Sequence, residues 1–386
     1  MIERTLANKM TALSQKFPVV TLTGPRQSGK TTLVKAVFSS LPYVSLEEPD
    51  IRQIALTDPR GFLANLGRGA VLDEVQHTPD LFSYLQTMVD SNPDAQFILT
   101  GSANFLLLER ISQTLAGRSA VLHLLPFSLL ELENGGYTFE QYESLIFTGQ
   151  YPRIYDREIA PTDFYPSYIQ TYVEKDVRLI KNISNLNAFI QFTQLCAGRV
   201  GQLLNYASLA NDAGISPNTA KAWLSILEAS FITYRLHPYH RNFNKRLVKS
   251  PKLYFYDTGL VCSLLGIREA HQVNTHFLKG ALFENLVINE FIKRAFNRGE
   301  RLYPYFWRDS RGNEVDCLLT KGDTLIPVEI KAGKTMTGKY FCNLKYWLNL
   351  AGMPQGSGYV VYGGDLSLQT GNGFLASWKR LEQIVP

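Results

Sequence analysis

The segment Gly24-Pro25-Arg26-Gln27-Ser28-Gly29-Lys30-Thr31-Thr32 is where residue type and spacing most directly imply chemistry. Its two glycines let the backbone curl so that several N–H groups converge, and the lysine after the second adds a positive charge there. Such a cradle binds phosphates. Lys30 would reach the β- and γ-phosphates of ATP, and the Thr31 hydroxyl would face magnesium. Further on, Asp73-Glu74 closes the apolar run Gly69-Ala70-Val71-Leu72. Asp73 would hold magnesium, and Glu74 would polarise an attacking water. The run Leu99-Thr100-Gly101-Ser102-Ala103-Asn104 adds small polar residues at the end of another apolar stretch. Ser102 is one candidate to contact the γ-phosphate or the water, and Thr100 and Asn104 are the others; periodicity does not separate them. Arg118, after Leu115-Ala116-Gly117, is a candidate arginine for the γ-phosphate, supplied in cis or from a neighbouring subunit, and Arg153 is a second.

A second constellation lies toward the C-terminus. Asn313 to Leu319 and Leu325 to Lys331 read as two strands around a turn at Lys321-Gly322-Asp323. Alternation puts Glu329 and Lys331 on one face, and a fold about Gly322 brings Asp316 opposite Glu329. Asp316 and Glu329 would hold magnesium or manganese against a phosphodiester, with Lys331 steadying the developing charge. Glu284, on a helix expected from Gly280 to Phe296, would add a third acid. Tyr303, Tyr305, Phe306 and Trp307 read as core.

The elements that must position these residues follow from pattern. Residues 3–15 read as a short amphipathic helix ended by Pro18. Strands are expected at Val19–Thr23, Tyr43–Leu46, Gly69–Glu74 and Ala95–Thr100, with helices at Lys30–Ser39, 51–56, 60–66 and Leu81–Ser91. Strands alternating with helices imply an α/β domain with a parallel sheet covered on both faces. Residues 126–235 are expected to be mostly helical. Within them Leu203 to Leu227 reads as helix-turn-helix, with Gly214 at the turn, Ser216 as N-cap and Pro217 at the first helical position. A strand at Phe231–Leu236 would begin a wing, which makes the segment look like a winged helix. Asn218, Thr219 and Lys221 would head its reading helix. Arg235, Arg241, Lys245, Arg246, Lys249 and Lys252 would contact phosphates. Winged helices also serve as protein-binding modules.

The run from Thr23 to Arg118 resembles the AAA+ ATPase superfamily. More narrowly, the chain resembles bacterial and archaeal predicted AAA+ ATPases with a C-terminal domain of unknown function, DUF4143. The motifs that carry the likeness are Gly24 to Thr31, Asp73-Glu74-Val75-Gln76, Leu99 to Ser102, Ala116-Gly117-Arg118, and Tyr168 to Val177. The resemblance implies ATP hydrolysis, a sensor among Thr100, Ser102 and Asn104, and an arginine, Arg118, acting across subunits of a homo-oligomer. Glu284, Asp316, Glu329 and Lys331 resemble the PD-(D/E)xK, or restriction-endonuclease-like, nucleases. The expected architecture is a P-loop ATPase domain over 1–140, a helical segment with a winged helix-turn-helix over 141–255, and a PD-(D/E)xK nuclease-like α/β domain over 256–386.

Bulk properties bound these readings. The chain is 45% apolar and 19% charged, the balance of a folded domain set, and its net charge of +5 permits nucleic acid without requiring it. Cys196, Cys262, Cys317 and Cys342 form no close pair, so neither a disulfide framework nor a zinc knuckle is expected. No apolar run approaches the ~18 residues of a membrane span, and the start does not read as a signal peptide. A cytoplasmic chain with no membrane partner is expected. Two functions stand. One is a magnesium-dependent ATPase acting on DNA or RNA, with metal-dependent phosphodiester cleavage. The other is an ATP-dependent protein-interaction switch in a toxin–antitoxin, defence or stress assembly, with an inactive nuclease-like domain. A small-molecule phosphotransferase is disfavoured for want of a compact acceptor pocket.

Overall fold

The computed structural model describes residues 2–102, 113–172, 183, 185–239, 247–322 and 324–384. The chain divides into two units. The first comprises Met1–Phe127, Ala229–Phe231 and Phe296–Glu300, and the second comprises Ser128–Glu228, Ile232–Ala295 and Arg301–Pro386.

In the first unit, β1 (Val19–Thr23), β2 (Tyr43–Ser45), β3 (Gly69–Asp73), β4 (Gln96–Gly101) and β5 (Ser119–His123) form a sheet in the order β2-β3-β4-β1-β5. Every neighbouring pair is parallel. Helices α1 (Leu6–Ser14), α2 (Lys30–Val37), α3 (Pro49–Thr57), α4 (Pro59–Asn65) and α5 (Leu81–Ser91) surround it. The two-residue period of the strands explains the layering. Val19, Ala70, Leu72, Phe97 and Leu99 enter one core with Phe62, Leu81, Phe82 and Leu85. Val20, Leu22, Val71 and Ile98 enter the other with Leu6, Met10, Leu33 and Val34. The expected parallel sheet with both faces covered is thus present. Its fifth strand, Ser119–His123, is not among the expected strands, because it buries only alternate residues and so lacks an unbroken apolar run.

Among the described residues of the second unit, eight strands form a mixed sheet in the order β12-β13-β11-β10-β9-β8-β6-β7. They are β6 (Thr233–Pro238), β7 (Lys252–Phe255), β8 (Tyr305–Arg308), β9 (Glu314–Lys321), β10 (Thr324–Lys331), β11 (Tyr359–Tyr362), β12 (Leu368–Thr370) and β13 (Gly373–Ser377). β9 and β10 form the expected hairpin, with Val328 opposite Cys317. Gly322 takes φ +58° at its turn, a left-handed value that favours glycine. β11 joins β10 in parallel, and β13 joins β11. One core gathers Trp307, Val315, Leu318, Phe341, Trp347 and Val360. The helix Lys279–Asn297 carries Glu284.

The helix-turn-helix pattern takes form as helices Tyr206–Asp212 and Pro217–Ala229. The Thr219 backbone N–H donates to Ser216 Oγ at 3.0 Å, the cap expected there. The wing needs correction. β6 does pair antiparallel with β7, but it also pairs in parallel with β8, His237 opposite Tyr305. These strands are therefore the edge of the large sheet and not a free ribbon. Arg241, Lys245, Arg246, Asp323 and the part of Tyr168–Val177 beyond Tyr172 lie outside the described residues. Among the described residues no helix is long and apolar enough to cross a membrane.

Candidate functional site

β1 delivers the chain directly into the phosphate loop at the C-terminal edge of the parallel sheet, where ligands of such sheets bind. A Cβ on Gly24 would lie 2.1 Å from the Leu124 carbonyl oxygen, so only glycine fits. Gly29, at φ +93°, caps α2, whose first residues are Lys30, Thr31 and Thr32. Gln27 takes φ +59°, a strained value for a residue with a side chain. The loop is fastened from behind by Arg4, which is buried and donates to Ser28 O at 2.7 Å and to Leu125 O at 2.6 Å. Its guanidinium also lies 4.8 Å from the centre of the Phe127 ring. Lys30 Nζ donates to Gly24 O at 2.9 Å and Pro25 O at 2.8 Å, across the mouth of the loop. Ser28 Oγ is buried without a hydrogen-bond partner among the described residues. Arg26 is half-buried, and Gln27 and Thr32 are exposed. A glycine that admits no side chain, an unpartnered hydroxyl and an ammonium held on the loop's own carbonyls together fit a nucleotide's phosphates.

The acidic half of the site is built by three strands. Asp73 Oδ2 accepts from Thr31 Oγ1 at 2.8 Å and from Tyr43 OH at 2.5 Å, while Oδ1 accepts from Thr100 Oγ1. Burial, and then the Asp73 carboxylate, push the Tyr43 phenol above its ordinary range, so it stays a donor. Glu74 follows in a left-handed conformation, φ +58°. Its Oε2 accepts from Gln76 Nε2 and from Ser102 Oγ, the latter at 3.3 Å. The structure therefore sets Thr100 on Asp73 and Ser102 on Glu74, and Asn104 lies outside the described residues. A threonine hydroxyl touching a carboxylate is an oxygen pair suited to magnesium.

Arg118 is elsewhere. Its carbonyl accepts from Val19 N at 3.2 Å, at the start of β1, about 13 Å of strand away from the loop. Its guanidinium grips Asp90 at 2.5 and 2.8 Å. The expectation that it serves its own chain's γ-phosphate is thus corrected. Arg153 is exposed on the helix Pro152–Asp156 of the second unit.

The C-terminal residues do converge. Lys331 Nζ donates to Glu329 Oε1 at 2.7 Å and to Asp316 Oδ2 at 3.4 Å, and the latter oxygen also accepts from Ile330 N at 2.7 Å. Glu329 Oε2 is buried without a partner among the described residues. Burial, then Asp316, push the Glu329 carboxyl up to about 8. Glu284 joins a neighbouring group instead. It lies with Glu314 and Asp316, one oxygen of each within 4.8 Å of the others. Burial pushes Glu284 up to about 7. Lys252, from β7, donates to Glu284 Oε1 at 2.9 Å and also bonds Glu314. Burial pushes its ammonium down, but Glu284, Glu314 and Asp316 outweigh that and hold it above the usual lysine range. Lys252 is therefore not one of the phosphate-contacting residues expected of a wing. Nor is Arg235 free, since it pairs with Glu228 at 2.6 and 2.7 Å. Lys249 is exposed. Glu314 was missed, although it stands two residues before Asp316 on one strand face, a signal the sequence carries.

Three family matches run along the chain. Residues 16–133 match an AAA domain, 139–271 a domain of unknown function, DUF8612, and 279–381 a domain of unknown function, DUF4143. The chain therefore carries an N-terminal AAA domain, whose presence supports ATPase activity, and a C-terminal DUF4143 domain. Among individual proteins, it is similar to Rv2008c of Mycobacterium tuberculosis and Mb2031c of Mycobacterium bovis. Each is 29% identical over 336 residues, which are 86% of this chain and 74% of theirs. MJ1637 of Methanocaldococcus jannaschii is 22% identical over 420 residues, 95% of this chain and 85% of its own. Among solved structures, the Walker-type ATPase PABY2304 of Pyrococcus abyssi superposes with a TM-score of 0.47 at 15% identity, over 68% of this chain and 96% of that one.

Proposed function

We propose that this chain is a magnesium-dependent ATPase working as a protein-interaction switch, with a nuclease-like second unit that binds and does not cut. The observation that carries the ATPase part is the 2.8 Å hydrogen bond from Thr31 to Asp73 beside the Lys30 ammonium. It joins the phosphate loop to the acidic strand end at the point where a metal-bound triphosphate would lie. Lys30 would balance charge on the β- and γ-phosphates. Thr31 and Asp73 would hold the magnesium ion, which when bound neutralises charge on the β- and γ-oxygens. Glu74 would orient and polarise the water, with Ser102 and Gln76 setting its direction. Arg118, half-buried and paired with Asp90 away from its own loop, would act only within a homo-oligomer. The three-part division at 140 and 255, the helix-turn-helix of the middle part and the PD-(D/E)xK likeness of the last part belong to this same reading.

The interaction reading is favoured over action on nucleic acid because Arg235 and Lys252 are consumed by carboxylates. One observation favours the second reading: Asn218 and Lys221 stand exposed at the head of the second helix of the helix-turn-helix. ATP turnover measured with and without single- and double-stranded DNA and RNA separates the two. Indifference supports the switch, and a rise of about tenfold or more supports the nucleic-acid reading. Titration calorimetry with a non-hydrolysable ATP analogue and magnesium tests the foundation. Binding by the native chain and its loss in Lys30→Ala are expected, and a folded native chain that takes up no analogue ends the proposal.

A further inference from the structure

The acidic pocket of the second unit already contains a cation. Lys252 is only 3% exposed, and its ammonium lies between Glu284 and Glu314, with Asp316 close enough to act on it through charge. A buried ammonium is held where carboxylates compensate its desolvation, and carboxylates this close together are relieved of their repulsion by a cation between them. Each side therefore accounts for the other. Around the whole pocket, the carboxylates of Glu284, Glu314, Asp316 and Glu329 face Lys252, Arg308 and Lys331, all joined by ion pairs. These carboxylates exceed the cations by a single charge, so a divalent ion would reverse the sign of the pocket while competing with Lys252 for the same oxygens.

We propose that Lys252 is a built-in replacement for a divalent cation, so that this pocket is complete without metal. The proposal deepens the reading of the second unit as nuclease-like and non-cleaving, and it does not depend on ATP hydrolysis. The replacing residue comes from the stretch matched by DUF8612, while the acids belong to the stretch matched by DUF4143. Glu284 and Asp316, which a cutting site would use, are thereby held by protein groups. The pocket is left as a set of ion pairs joined through Asp316 to the Glu329–Lys331 pair.

Manganese binding, read by electron paramagnetic resonance, tests this on the full chain carrying Asp73→Asn, which removes the acidic ligand of the nucleotide site. With Lys252 in place, no manganese uptake that depends on Glu284 is expected. Adding Lys252→Met should create one manganese site, about tenfold or more tighter than any uptake before it, and adding Glu284→Gln should remove that site. Manganese bound by the Lys252-containing chain and lost with Glu284→Gln overturns the proposal. So does a Lys252→Met chain that melts cooperatively yet gains no site. Should Lys252→Met fail to fold, the Lys252-containing chain decides alone by the same Glu284 criterion. ATP turnover of the native chain is recorded separately, so failure of the ATPase reading leaves a distinct signature.

Discussion

Asp73 receives three hydroxyl donors, from Thr31, Tyr43 and Thr100, and each comes from a different part of the chain. In the proposed ATPase Thr31 would turn toward the metal, which would leave Tyr43 and Thr100 to hold the carboxylate. Tyr43→Phe should therefore raise the magnesium concentration for half-maximal turnover by about tenfold, since partners that orient metal ligands weigh on affinity at that scale. Nucleotide affinity in the presence of a chelator should not change. A magnesium titration of the ATPase rate, paired with metal-free calorimetry, reads both quantities, and an unmoved magnesium dependence refutes the role. At this scale the sequence is legible where chemistry is local. Lys30, Thr31 and Asp73 announce themselves by spacing to glycines or by position at a strand end. Tyr43, Arg4 and Lys252 have no such neighbours. Their roles arise from pairings between distant segments, and nothing in their surroundings distinguishes them from ordinary polar residues.

Among elements, the parallel sheet was readable because buried strands write themselves as unbroken apolar runs. β1, β3 and β4 are of that kind, and β5, half-covered, is not. The wing was misread for a related reason. A strand following two helices is a local pattern, and it does not say which strand its other edge will meet. The sheet also fixes what Arg118 can do. It sits at the edge where β1 begins and the phosphate loop sits where β1 ends, so any part the side chain takes in hydrolysis would be toward another copy. Mixing Lys30→Ala chains with Arg118→Ala chains, each inactive alone, should then restore a measurable fraction of turnover, because some sites would combine an intact loop with an intact arginine. Full activity of Arg118→Ala by itself would show that the residue serves only its pairing with Asp90.

For the molecule as a whole, the buried acids of the second unit set a pH dependence. Glu329 is raised to about 8 and Glu284 to about 7. A carboxyl whose folded value is raised contributes stability that is complete below its unfolded value, near pH 4.5, and is lost as pH climbs through the folded value. The melting temperature should thus fall between pH 5 and 9. Glu329→Gln should flatten that fall, with a gain on the order of 1–3 kcal/mol at pH 9 and little change at pH 5. Thermal melts across the range check it, and parallel curves for the two proteins would refute it. The large sheet carries one further implication. β6 and β7 fall in the stretch matched by DUF8612, and β8 to β13 fall in that matched by DUF4143, yet one hydrogen-bonded lattice runs through all eight. The heritable piece is therefore larger than either match. A gene fusion that moved only residues 279–381 to a new host protein would strip the outer side of Tyr305 and Phe306 of its backbone partners, and such bare margins make copies adhere to one another.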